Sequence, residues 1–102
     1  MHTGTVSITL NAANVKYHQF YLSSVREFFF PSGKHDDTIF ELEVGAPEPI
    51  FTKITTEYLC FNKKSWMKAF FQAHNLKIGD QILITRTGSG SFRVEASKVR
   101  NL

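Results

Sequence analysis

The chain has 102 residues, with 12 Lys and Arg against 9 Asp and Glu, so its formal net charge is +3 at pH 7. This length suits one modest hydrophobic core, and we expect residues 1–102 to form a single domain. A hydrophobic content of 42% with ten Phe excludes a disordered chain, and the absence of an apolar run near roughly 20 residues excludes a membrane-spanning helix.

The first third of the chain predicts two strands and a short helix. Residues 6–10 alternate apolar and polar side chains, the period of a half-buried strand, and residues 11–14 break that pattern. Residues 18–22 are predicted as a second strand. Ser24 and Glu27 have the spacing of a capping box, and Pro31 ends the helix that follows it.

The middle of the chain predicts three strands around turns. Residues 32–37 form a polar loop, and residues 38–44 form a strand with Phe40, Leu42 and Val44 on one face and two glutamates on the other. Residues 45–49 contain two prolines and are a turn. Residues 50–54 and 58–61 are predicted as further strands.

The last third predicts one clear helix and a hairpin. The helix begins after Asn62 or Ser65 and runs to about His74, with Trp66, Ala69, Phe70 and Ala73 as its core stripe. Asn75 ends it in a left-handed conformation. Residues 81–85 and 92–95 form strands joined by a loop over 87–91. About seven short strands and two helices predict a mainly β (α+β) fold, a barrel or a sandwich with helices at its ends.

Charge is segregated along the sequence. Residues 35–50 carry five acidic groups and no Lys or Arg, whereas residues 51–102 carry nine basic groups against three acidic ones. One electropositive and one electronegative surface are the expected result, and a positive surface favours polyanions. The alternative is an ordinary solvated surface.

Metal and nuclease chemistry are not supported. The four His and the single Cys60 show no ligand pair with zinc-site spacing, and Cys60 lies in an apolar strand as a buried small hydrophobe. Glu41 and Glu43 share a strand face, but no Lys occurs from residue 35 to 52 to complete a nuclease site. We therefore expect no metal, no cofactor and no catalysis by this chain.

Two features of the sequence indicate the cellular compartment. The first ten residues lack the basic region and long apolar stretch of a signal peptide, and a single cysteine cannot form an internal disulfide. Both favour a reducing intracellular location, cytoplasmic in a bacterium or nuclear in a eukaryote.

Two polar segments at strand ends carry the remaining signal. Residues 16–19 and 52–57 each combine a lysine with side chains that donate and accept hydrogen bonds. This is the chemistry that meets base edges and phosphates, although either segment alone also suits an ordinary loop.

The order of these segments resembles a known family, the plant-type B-three DNA-binding domain, which also occurs as the target-recognition domain of some type II restriction endonucleases. The first half of the family pattern is matched by LNAANV (10–15), the segment 18–22 and a helix closing on Phe30-Pro31. The second half, a Trp-containing helix followed by Asn-Leu-x-x-Gly-Asp and a strand, is matched by KKSWMKAF (63–70), NLKIGD (75–80) and residues 81–85. The likeness covers nearly the whole chain, and its second half is the more specific.

The resemblance implies a seven-stranded open pseudobarrel with two short helices at its ends, which grips the major groove of double-stranded DNA with two arms. By position, residues 16–19 belong to the first arm and residues 53–57 to the second. The roles it implies are adenine reading by Gln19 and acceptance from cytosine by Glu57, with the arm lysines on phosphates. Arg26 is a further flank candidate. The expected DNA-binding residues are Lys16, Tyr17, His18, Gln19, Lys34, Lys53, Thr55, Thr56, Glu57, Asn62, Lys63 and Lys64.

The sequence departs from the plant members of the family, and this favours the restriction-enzyme function over the transcription-factor function. Plant members carry more basic residues in the first arm and a Pro-Lys after the second strand, whereas here Leu22 leads directly to Ser23-Ser24. We therefore expect a restriction-enzyme target-recognition domain that binds double-stranded DNA and no membrane, with any nuclease on a separate, covalently linked domain. The alternatives are a transcription-factor DNA-binding domain, an RNA-binding barrel, and a protein-interaction module that uses the acidic residues 36–48.

Overall fold

The chain folds around two β-sheets, as seen in a computed structural model that describes residues 4–29, 39–55, 60–61, 65–88 and 90–98. A five-stranded sheet has the strand order β1-β6-β7-β2-β3, and β4 pairs with β5 in a small second sheet. The strands are β1 (Thr5–Thr9), β2 (Phe40–Glu43), β3 (Ile50–Thr52), β4 (Ile54–Thr55), β5 (Cys60–Phe61), β6 (Gln81–Gly88) and β7 (Ser91–Ser97). Neighbouring strands are antiparallel, except that β2 and β7 run parallel.

The helices are short and few in the described part of the chain. They are α1 (Ala12–Tyr17), a 3₁₀ turn (Ser23–Val25) continued by α2 (Arg26–Phe29), and α3 (Ser65–Ala73). The mainly β class with short helices is thereby confirmed, and the radius of gyration of 13.1 Å is that of a compact globule. Closure into a seven-stranded pseudobarrel stays a prediction.

The strand predicted over residues 38–44 is seen as the shorter β2 over 40–43, with the predicted alternation of burial, and residue 38 lies outside the described residues. Phe40, Leu42 and Val44 are buried, while Glu41 is half-buried and Glu43 is exposed. Successive side chains of a strand point to opposite faces, so the apolar set faces the core and the glutamates face solvent.

Aromatic rings dominate the core. Phe92 of β7 lies 4.7 Å from Phe29, 5.5 Å from Phe28 and 5.6 Å from Phe40, measured between ring centroids. The Arg86 guanidinium lies over the rings of Phe28 and Phe92 and donates to the Phe28 carbonyl. Aromatic pairs at these separations add about 0.5–1.5 kcal/mol each beyond the area they bury.

One prediction for residues 11–22 is confirmed and one is wrong. Residues 11–14 break the strand pattern as predicted, since β1 ends at Thr9, and they also begin the helix α1. The side chains of Asn11 and Asn14 each accept a hydrogen bond from the other's backbone N–H, at 2.8 and 2.9 Å. This reciprocal capping box satisfies amides that the first helical turn leaves unpaired. Residues 18–22 lie in the described part of the chain and form no strand, although Phe20 and Leu22 alternate inward as a strand would require.

The core face of α3 also differs from the prediction. Trp66 and Phe70 are buried as expected, but Ala69 and Ala73 are exposed, and Met67 and Phe71 take their places in the core. The apolar stripe therefore runs through 66, 67, 70 and 71, which is equally compatible with helical periodicity. The larger side chains decided which face of α3 is buried, since they remove more apolar surface from water.

Two of the predicted strand and loop boundaries differ in the structure. The segment 50–54, predicted as one strand, is divided at Lys53 between β3 in the large sheet and β4 in the small one. The hairpin loop predicted over 87–91 is shorter, because Gly88 and Ser91 are register partners of β6 and β7. The strand at 58–61 is seen as β5 over 60–61, and residues 56–59 lie outside the described residues.

The turn after α3 is hydrogen-bonded to Leu10, the residue that follows β1. Asn75 has the predicted left-handed conformation, with φ 49°. Gly79, at φ 93°, donates to the Leu10 carbonyl, and Leu10 donates to the Asp80 carbonyl, both at 2.9 Å. The buried Asp80 carboxylate accepts from the backbone N–H of Lys77 at 2.9 Å. These hydrogen bonds give Gly79 and Asp80 a structural role.

We expect Asp80→Ala to lower the free energy of unfolding by about 2 kcal/mol, since the part-buried hydrogen bond from the Lys77 N–H to a carboxylate acceptor is lost. Urea unfolding followed by tryptophan fluorescence measures the change. Asp80→Asn keeps an acceptor oxygen and is the matched control, with a smaller loss. Equal stability of Asp80→Ala and the unaltered protein would contradict this role.

Candidate nucleic-acid interface

The first predicted arm, residues 16–19, is held by the end of α1. His18 is the C-cap residue in the left-handed conformation (φ 54°, ψ 50°), and its N–H donates to the Asn14 carbonyl. The N–H of Gln19 donates to the same carbonyl at 3.1 Å. Two successive amides on one carbonyl turn the chain out of the helix and fix the backbone of the arm.

Two of the four side chains of this arm are exposed, and the other two contact neighbouring aromatic residues. Lys16 and Tyr17 are exposed, Tyr17 by 61%, and the Lys16 Nζ lies 5.3 Å from the centre of the Tyr17 ring. The half-buried His18 ring meets Phe71 of α3 edge to face at 5.8 Å. Lys16 and Tyr17 are therefore available to a ligand, whereas the imidazole anchors the arm to α3.

Gln19 is held by a residue that the sequence analysis did not single out. Its Nε2 donates to the Tyr21 hydroxyl at 2.8 Å, at the protein surface, and Tyr21 is 39% exposed. The signal was present in the alternation over 18–22: with Phe20 and Leu22 buried, side chains 19 and 21 must share the outer side. Tyr21 thereby joins the candidate interface.

The second predicted arm begins where β3 passes into β4. Lys53 lies between the two strands and is half-buried, and the buried Thr52 hydroxyl donates to the Lys53 carbonyl at 3.1 Å. Thr55 ends β4 as the register partner of Cys60. The structure thus supplies the base of the second arm, and the rest of it is expected beyond Thr55.

The other predicted site residues are not among those described. Thr56 and Glu57 of the second arm lie outside the described residues, as do the flank candidates Lys34, Asn62, Lys63 and Lys64. Of Thr55 and Arg26 the backbone alone is described. Their DNA contacts stay predictions.

The described bases of the two predicted arms lie beside one aromatic contact. Phe20, which directly follows Gln19, meets Phe61 edge to face at 6.0 Å. Phe61 of β5 is the register partner of Ile54, which directly follows Lys53. Phe20, Ile54 and Phe61 are all buried, so both bases are anchored in the same part of the core. Segments 34 residues apart in sequence are thereby brought together.

The acidic residues gather elsewhere, on the solvent face of β2 and β7. Glu43 pairs with Arg93 at 3.2 Å, and Glu41 accepts from the Ser91 hydroxyl at 3.4 Å. Glu41, Glu43 and Glu95 line a groove of about 600 Å³ together with residues 44–47 and His74. The arm residues 16–19 and 53 are not part of its lining.

The described residues offer no site for a metal ion, since no three of their His, Cys, Asp or Glu side chains lie close enough to hold one. Cys60 is buried in the core, as predicted. None of the described helices has the length and apolar character that crossing a bilayer requires.

Comparison with known proteins gives a fold likeness without sequence similarity. No protein-family model matches the chain, and no curated protein matches it by sequence. Among solved structures, the N-terminal domain of Helicobacter pylori LlaJI.R1 is similar, with a TM-score of 0.68 and 11% sequence identity. The alignment covers 96% of this chain and 90% of that domain, so the likeness extends over almost the whole of both folds.

Proposed function

We propose that this chain is a sequence-specific double-stranded DNA-binding domain that reads the major groove with two arms. We further propose that it serves as the target-recognition domain of a type II restriction endonuclease and is not catalytic itself. The nuclease would then lie on a separate, linked domain. The observation that carries the proposal is the Phe20–Phe61 contact, beside which the described bases of both predicted arms lie.

The chemistry of the described arm residues supports this function. An exposed lysine and tyrosine stand beside a surface carboxamide on the first arm, and a second lysine stands at the base of the other arm. Lysines neutralise phosphates and set affinity, whereas a carboxamide matches the donor and acceptor pattern of adenine. Lys16 and Lys53 are assigned to phosphates, and Gln19 to a base edge.

The fold likeness is compatible with the restriction-enzyme version of the proposal. LlaJI.R1 bears a name of the form given to restriction enzymes, and the similar part of it is one N-terminal domain. A recognition module built as a separate domain agrees with the expectation that catalysis lies outside this chain. Membership of the B-three family remains part of the proposal.

Selection from a randomised duplex pool at two salt concentrations tests the function directly. We expect enrichment of one sequence, and affinity that falls steeply with salt because bound phosphates release counterions. Structured RNA of the same sequence is the competitor that separates DNA from RNA binding. Enrichment of no duplex, or stronger binding of the RNA, would contradict the proposal.

Removing an arm lysine should change the salt dependence. For Lys16→Ala or Lys53→Ala we expect weaker binding to every duplex and a slope of log affinity against log salt that is smaller by about one. Fluorescence anisotropy over a salt series measures the slope. Lys98→Ala is the control, because Lys98 is exposed outside both arms and donates to the Asn75 carbonyl. An unchanged slope for an arm variant would remove that lysine from the phosphate contacts.

The acidic groove favours a second candidate function, a protein-interaction module for a basic partner. Its three glutamates face one neighbouring arginine, so the groove is suited to a positively charged segment. A basic peptide that binds the chain, weakens with Glu95→Gln and leaves duplex DNA unbound would favour this candidate over DNA recognition.

A further inference from the structure

We propose that Tyr21 is a positioning residue that holds the Gln19 carboxamide in the orientation in which it reads adenine. The inference rests on the proposed function and deepens it, because it assigns part of the base specificity to a residue outside the predicted arm. The geometry behind it is the 2.8 Å hydrogen bond from Gln19 Nε2 to the Tyr21 hydroxyl.

The hydrogen-bonding capacity of the carboxamide matches this role. A glutamine amide has two N–H donors and an oxygen acceptor, and the bond to Tyr21 engages one N–H. Adenine in the major groove requires one donor for its N7 and one acceptor for its N6 amino group. The second N–H and the oxygen of Gln19 supply this pair, so Tyr21 and adenine use different parts of one amide.

The backbone at Gln19 and Tyr21 is held in place, so rotation of the Gln19 side chain is the main motion that Tyr21 restricts. The Gln19 N–H is bound to the Asn14 carbonyl, and Phe20 and Leu22 are buried on either side of Tyr21. Both backbones are therefore fixed, while a surface glutamine side chain would otherwise sample many rotamers. A phenol on a rigid ring with only two side-chain torsions is a suitable support, because ordering it costs little.

The test compares base discrimination in the unaltered protein and in Tyr21→Phe, which keeps the ring and removes the hydroxyl. The probe is the duplex selected by the unaltered protein, together with variants in which each base pair is replaced in turn. We expect the ratio of affinities at one A·T pair to fall about three- to tenfold, the effect of one net hydrogen bond. The salt slope and the thermal midpoint should remain unchanged, which a merely structural role would not predict.

Thr9→Val is the matched control, since it removes the hydroxyl that accepts from the Gln81 carboxamide at 3.3 Å, outside both arms. It should leave the ratio unchanged. Gln19→Ala should reduce discrimination at the same base pair as Tyr21→Phe, and the double variant should be no worse than Gln19→Ala, because the two residues act as one unit.

The outcomes separate the inference from the function beneath it. If Gln19→Ala loses discrimination while Tyr21→Phe keeps it, the positioning role is overturned and the DNA-binding function stands. A loss at a different base pair in Tyr21→Phe would also overturn it, since Tyr21 would then contact DNA itself. If the unaltered protein selects no duplex, the proposed function fails and the inference fails with it.

Discussion

Phe61→Ala is expected to lower the free energy of unfolding by about 3–5 kcal/mol, the range measured for large aromatic truncations in protein cores. Phe61 is fully buried, and its ring meets Phe20, Phe29 and Trp66 at centroid separations of 5.9–6.0 Å. Removing it opens a cavity beside Phe20 and Ile54, the buried residues that follow Gln19 and Lys53 in the chain. A domain of this size is stable by about 5–15 kcal/mol, so much of that margin would be lost.

Thermal and urea unfolding measure this effect, and the thermal midpoint should fall by at least about 12 °C. Phe51→Ala is the matched control, because the Phe51 ring on the edge strand β3 is 54% exposed and should cost less than about 1 kcal/mol. Phe61→Leu should be intermediate, since it fills part of the cavity. If Phe61→Ala and Phe51→Ala destabilise the protein equally, the buried Phe61 ring does not make the contribution to core stability that we assign to it.

Gln19→Ala is expected to reduce discrimination at a single base pair by roughly 1–3 kcal/mol, while binding to unrelated duplexes changes little. The reason is that a bidentate contact to one base carries sequence information, whereas phosphate contacts do not. The exposed position of the Gln19–Tyr21 hydrogen bond means that truncation leaves no buried group unpaired. We therefore expect the unfolding free energy to remain within about 0.5 kcal/mol of the unaltered protein.

Competition between the selected duplex and its single-base-pair variants measures this discrimination. Gln81→Ala is the control, a second surface glutamine whose amide donates to a hydroxyl, that of Thr9, outside the arms. It should leave every ratio unchanged. If Gln19→Ala weakened binding to all duplexes by the same factor, Gln19 would be a general contact and the reading of adenine would be wrong.

The local residue pattern predicted an element correctly where the tertiary structure kept the conformation that the pattern favours. The strand β2 was predictable because apolar and acidic residues alternate over 40–44, and the buried and exposed faces of a sheet demand that alternation. The turn at 75–80 was equally predictable, since an asparagine in the left-handed conformation and Gly79 are strong local signals.

Local patterns failed where two structures had similar propensity. LNAANV was compatible with a strand break and with a helix start, and the Asn11–Asn14 capping box decided for the helix. Residues 18–22 have strand alternation, but Gln19 is bound to the end of α1 rather than to a sheet neighbour. Alternation records which side chains are buried and contains no information on the partner of each backbone N–H.

In the candidate interface, too, the sequence predicted the residue types but not their contacts. The residue types of the first arm were visible in the sequence as a lysine, a tyrosine, a histidine and a glutamine in succession. The alternation over 18–22 places Gln19 and Tyr21 on one side of the chain, but the packing of His18 on Phe71 and the Gln19–Tyr21 hydrogen bond are seen only in the structure. Both depend on the left-handed conformation of His18, which sets the direction of the chain after α1.

The sequence by itself determined the mainly β class, the strand β2, the helix α3 and the polar composition of both arms, because each depends on residues close together in the chain. Tertiary structure alone brought the described bases of the two predicted arms together, since Phe20 and Phe61 are 41 positions apart and meet only when both are buried. It also selected Met67 and Phe71 over Ala69 and Ala73 for the core, because burial favours the faces that fit a neighbouring surface.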